Sequence, residues 1–148
     1  MPFNSAEFKS ALQTSFEETS KTENGAVEKI ADAIATYYAG VAIPVSAMAN
    51  PPGPTTFKDT AAAELEGMSA DGAFPEKLKE AVMAVANLIR DEASGLNTVV
   101  LVEEPDYSSL NSGSRSSEAA ASLIADQTDA ATASWTQTPS GGTSGPWT

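Results

Sequence analysis

The sequence predicts a mainly α protein: a small helical bundle with at most one or two short strands and a long extended C-terminal tail. Three observations carry that expectation. Large apolar residues recur at helical spacing between Phe8 and Ile89, capping and stop signals bracket those stretches, and large apolar side chains become sparse after Tyr107. The core is therefore expected within residues 3–102. The organisation that follows is a helical domain over 1–106, with a Pro-rich connector at 41–56, and a Ser/Thr/Gly/Ala-rich tail over 107–148.

The first helix is expected over 5–18. Asn4 can cap it, Glu7 stands three residues later as a capping-box partner, and Phe3 and Phe8 have the spacing of a hydrophobic staple. Phe8, Leu12 and Phe16 then mark one face. A break in 19–25, offered by Ser20, Glu23 and Asn24-Gly25, precedes a second helix over 24–39. Its stripe is Val27, Ile30, Ile34 and Tyr37, and Gly40 falls where a left-handed C-cap belongs. Residues 41–45, VAIPV, are extended by preference, because Pro44 biases Ile43 away from helical dihedrals. The Pro/Gly run at 50–54 reads as a stiff linker.

A short helix is expected over 57–66, ended by Gly67, with a weak stripe of Phe57, Ala61, Leu65 and Met68. Asp71-Gly72 is a turn. Pro75 at a first helical position starts the best-defined helix, 75–94, whose core face is Leu78, Val82, Val85 and Ile89; Gly95 stops it. Residues 98–102, TVVLV, form the strand candidate. A lone strand leaves its backbone groups unpaired, so it needs either residues 41–45 or an edge in a neighbouring subunit.

Over half the residues from Tyr107 onward are Ser, Thr, Gly or Pro. Such a composition is expected to bury too little surface to offset the entropy of ordering. An Ala-rich insert at 117–131 can form a short helix, with Leu123 and Ile124 as its large anchors.

Composition also excludes functions. The 148 residues carry 20 acidic and 8 basic side chains, a net charge of −12. Nucleic-acid affinity rests on neutralising phosphates with Lys and Arg, so nucleic acid and anionic membrane surfaces are not expected as partners. No run of about 18 apolar residues is present, and the N-terminal MPFNSAEFKS lacks the pattern of a secretory signal. Without cysteine or histidine, there is no thiolate chemistry, no imidazole base and no usual transition-metal ligand set. The paired carboxylates (Glu17/Glu18, Glu64/Glu66, Asp91/Glu92, Glu103/Glu104/Asp106) sit in no catalytic motif. Neighbours on a helix also point apart. Neither an EF-hand loop, a phosphate-binding loop nor an activated serine is present. No catalytic residue, metal, cofactor or small-molecule substrate is therefore expected.

The remaining signals point to protein partners. Trp135 and Trp147 stand in a polar tail and suit the role of anchors for a partner's pocket. Phe3 and Tyr38, the strand Val99, Val100, Leu101 and Val102, and the tail residues Leu123 and Ile124 complete the contact candidates.

The N-terminal third resembles small virion structural proteins of tailed bacteriophages. The resemblance lies in EKIADAIATYYAG (28–40), entered from FKSALQTSFEE (8–18) and followed by VAIPV (41–45) and PPGP (51–54). It covers about 50 of the 148 residues and is compositional rather than motif-like. It implies a helical head, a low-complexity tail and a multimeric setting in a virion. A structural subunit of the tail, baseplate or neck is the leading expectation, with head decoration or minor capsid protein as the alternative position. A free adaptor or chaperone with an acidic disordered tail, soluble and cytoplasmic, is a different class. An enzyme built on carboxylates alone is the third.

Overall fold

Helices dominate the chain, and their order in space follows from which faces are apolar. The computed structural model describes residues 5–18, 22–39, 54–93, 97–112, 115–139 and 145–147. Expectations resting on Phe3, Asn4, Ser20, Gly40, 41–45, 51–53 and Gly95 fall outside those residues. The elements are α1 (Ser5–Glu17), α2 (Glu23–Ala39), α3 (Pro54–Leu65), α4 (Phe74–Ala93), β1 (Asn97–Val100), a 3-10 turn (Ser108–Asn111), α5 (Ser117–Ser134), β2 (Thr136–Pro139) and β3 (Gly145–Pro146).

The four expected helices form close to their expected bounds. The clearest difference is α3, which begins at Pro54 rather than at 57. Proline suits a first helical position because the donor it lacks has no intrahelical acceptor there. Neighbouring helices pack α4 on α3, α3 on α2, α2 on α1 and α1 on α5. The central helix, α2, buries Val27, Ile30, Ile34 and Tyr37 on its apolar stripe, and also Ala31, Ala33, Ala35 and Tyr38. These alanines extend the buried surface of α2 beyond its stripe of large residues. In α4, Leu78, Val82, Val85 and Ile89 are all buried, as their spacing requires. Gly67 and Gly72, with φ of 83° and 73°, reverse the chain between α3 and α4 in dihedrals that disfavour other residues.

The C-terminal third departs from expectation. Residues from 107 onward are not an extended tail where the structure describes them. The helix there runs from Ser117 to Ser134, beyond the expected 117–131, and lies against α1. Ser116 caps it by accepting from the Ala119 N–H at 3.1 Å. Its inner face is Ala121, Ile124, Ala125, Thr128, Ala131 and Thr132. Those positions repeat every three or four residues, so small side chains make the stripe that large ones make elsewhere. A boundary at 106/107 therefore cuts through packed structure.

Three short strands form rather than one or two, in an antiparallel sheet ordered β1-β2-β3. Of the two partners expected for the strand at 98–102, 41–45 lies outside the described residues; the strand itself runs from Asn97 to Val100. It pairs with β2, placing Val99 opposite Gln137 and Val100 opposite Thr136. Strand β2 in turn pairs with β3, placing Gln137 opposite Gly145.

Candidate functional site

The expected anchors divide into two groups, one inside the fold and one on its surface. The inner group starts at α1 and α2. Phe8 meets Tyr37 at 4.9 Å between ring centroids, and Tyr37 meets Tyr38 at 4.8 Å. Tyr38 stacks on Trp135 at 6.2 Å, and Trp135 takes Trp147 edge-on at 5.0 Å. Five rings thus run in contact from the first helix to the last strand. Such tilted and edge-to-face pairs add about 0.5–1.5 kcal/mol each beyond area burial.

Each tyrosine in this seam carries its hydroxyl to α5. Tyr37 donates to Asp129 Oδ1 at 2.7 Å, while Ser5 Oγ donates to the other carboxylate oxygen of Asp129. Tyr38 shares a 3.0 Å bond with Thr132 Oγ1. Tyr107 lies 2.6 Å from Thr128 Oγ1. Thr128 spends its own proton on the Ile124 carbonyl, so Tyr107 is the donor in that pair. The pattern explains why a polar helix face is buried: Thr128 and Asp129 sit one turn before Thr132, and the three together pair with three phenols. Burial pushes all three phenols well above the usual tyrosine range; the Asp129 carboxylate reinforces this for Tyr37.

Four expectations are corrected here. Tyr38, Ile124, Trp135 and Trp147 are buried, at 2% exposure or less, and cannot serve as partner anchors without unfolding. Trp135 is held from both sides, since its indole N–H donates to the Glu103 carbonyl at 2.7 Å. Trp147 is tied through its backbone N–H to the Trp135 carbonyl at 3.2 Å, but its indole nitrogen has no partner among the described residues. Leu123 is half-buried and packs against the core. Phe3 lies outside the described residues.

The outer group is the strand. Val99 and Leu101 are half-buried and pack against the core. Val100 and Val102 alternate with them and are 49% and 58% exposed, the exposed large apolar side chains of the described residues. Among the described residues, strand β1 is an edge of its sheet. Glu103 and Glu104 follow directly, both exposed.

Acidic groups elsewhere are mostly surface features. Glu17, Glu18, Glu64, Glu66, Asp91 and Asp106 are exposed. Lys79 bridges Glu76 at 3.3 Å and Glu104 at 3.7 Å, which raises its pKa, chiefly through the hydrogen bond to Glu76. Asp106 is held below the usual carboxylate range by hydrogen bonds from Ser108. No group of three or more metal-ligating side chains stands together among the described residues. No helix among them is long and apolar enough to cross a membrane. A half-open groove of about 420 Å³ lies between α1 and α2, with Phe8, Ala11, Ala33 and Tyr37 on its walls beside Glu7, Lys29 and Asp32.

No protein-family model, curated protein or solved structure matches this chain.

Sequence reasoning missed Tyr107, Thr128, Asp129 and Thr132 as a unit. The signal was the i, i+4 spacing of Thr128 and Thr132 on the face that ends at Trp135. Threonines at that spacing on an alanine-rich helix are ready acceptors for hydroxyls from a facing helix.

Proposed function

We propose that this chain is a non-catalytic structural subunit of a large protein assembly, a tail, baseplate or neck component of a tailed-phage particle. The observation that carries the reading is the exposed pair Val100, at the end of a strand that is an edge of its sheet among the described residues, and Val102 two residues beyond it. The other large apolar side chains in the described residues are buried or half-buried, including both tryptophans. Leaving two valines in water beside a strand edge with no partner among the described residues is a liability that natural proteins avoid unless the edge is used. The resemblance of the N-terminal third to small virion proteins supplies the setting. The adaptor alternative loses the disordered tail on which it rested, since α5, β2 and Trp147 are packed.

The test is incorporation. Particles assembled in cells that supply either the wild-type chain or a Val100→Lys/Val102→Lys variant are purified and their subunits quantified by mass spectrometry. The expected outcome is wild-type chain in stoichiometric amount and loss of the variant, with the free variant still folded. Absence of the wild-type chain from purified particles overturns the reading.

A further inference from the structure

The two edges of the small sheet are treated differently, and the difference points to what binds. Strand β3 is two residues long and ends at Pro146. Short length and proline are the usual means of blunting an edge. Strand β1 and its continuation, residues 97–102, read NTVVLV: no proline, no charge and four branched apolar residues in a row. A segment with those properties pairs readily with another extended chain. Its outward residues are Val100 and Val102, and the first charges beyond it are the exposed Glu103 and Glu104, the latter also 3.7 Å from Lys79.

We infer that the β1 edge receives an extended, basic segment of another protein as an added strand, with apolar side chains at alternate positions over Val100 and Val102 and Lys or Arg against Glu103 and Glu104. The inference rests on the reading of the chain as an assembly subunit and names the chemistry of its neighbour. Added strands gain affinity from main-chain hydrogen bonds and specificity from alternate side chains. Charge selects the sign of the partner. A second copy of this chain brings another −12, and that mutual repulsion disfavours two such edges against each other. A basic strand meets the opposite situation, and rim charges of this kind act mainly on association rate and partner choice.

The experiment uses the full chain and two fluorescein-labelled heptapeptides, Lys-Val-Thr-Val-Lys-Val-Arg and Glu-Val-Thr-Val-Glu-Val-Glu, followed by fluorescence anisotropy at low salt. The basic peptide is expected to bind at least about tenfold more tightly than the acidic one. Amide exchange at residues 97–102 should slow when the basic peptide is present. Val100→Lys/Val102→Lys should abolish binding, and Glu103→Lys/Glu104→Lys should reverse the preference between peptides. Circular dichroism establishes that both variants fold. Equal binding of the two peptides, protection confined to other residues, or no binding overturns the inference. So does a concentration-dependent dimer lost in Val100→Lys/Val102→Lys, which makes a second copy the occupant. Each of these results leaves the incorporation assay free to succeed, so the two proposals fail separately.

Discussion

Replacing Trp147 by alanine should cost the fold about 2–4 kcal/mol, a figure that follows from where the indole sits. Its side chain is 1% exposed. A buried tryptophan removes roughly 150–250 Å² from water, worth about 4–6 kcal/mol at ~25 cal/mol per Å². Residual compaction of the unfolded chain lowers that by roughly 10–40%. The edge-on contact with Trp135 at 5.0 Å adds about 0.5–1.5 kcal/mol. Acting in the other direction, the indole N–H is buried without a partner among the described residues, and removing an unsatisfied donor returns about 1–3 kcal/mol. The balance is a large share of the roughly 5–15 kcal/mol that holds a typical domain together. Urea unfolding followed by helical circular dichroism and by the fluorescence of Trp135 measures it. Trp147→Phe keeps an aromatic ring and deletes the unpaired donor, so it should stay within about 1 kcal/mol of wild type. A Trp147→Ala variant with unchanged stability refutes the reasoning, because it means that the C-terminal indole is not part of the core.

Val85 is fully buried on α4, so Val85→Asp should cost several kcal/mol by burying a charge; an unchanged melting temperature places that face in water. All three tyrosines are buried with phenols raised above the unfolded value of about 10. A raised folded value means stability is intact below the unfolded value and falls as pH climbs beyond it, so tyrosinate absorbance should appear together with loss of helical signal above about pH 10. A smooth tyrosine titration with the helical signal intact contradicts the burial of the seam. Gly67 stands at φ 83° with open space around a prospective Cβ, so Gly67→Ala should cost only the backbone term, about 1–2 kcal/mol, measurable as a lower urea midpoint with an unchanged slope.

What the sequence disclosed depended on side-chain size. Where a helix face was written in large residues, as with Phe8 and Leu12 or Leu78, Val82, Val85 and Ile89, spacing alone located the helix and its buried side. In α5 the same periodicity was written in Ala121, Ala125, Thr128, Ala131 and Thr132, which hydropathy barely separates from a solvated surface. Composition then argued for disorder, because counting large apolar groups ignores a threonine whose hydroxyl finds a phenol. The two tryptophans were read by their neighbours in sequence, which are polar, rather than by their neighbours in space, which are aromatic. The strand at 97–100 was legible from its valines; its partner was not, since β2 reads TQTP and carries no strand signal of its own. Val100 and Val102, contact candidates by sequence, stand exposed in the structure.

The bonds from Ser5 and Tyr37 to Asp129 join residues 124 and 92 positions apart. During synthesis, α1 leaves the ribosome about 100 residues before α5 begins. At roughly 5–20 residues per second that is a delay of about 5–20 s, during which Phe8 and Leu12 lack the helix that covers them. Long-range closure of this kind also slows folding once the chain is complete. The nascent protein therefore passes through a stage in which its N-terminal helices are made but lack that cover, and a transcript truncated before residue 117 leaves it there.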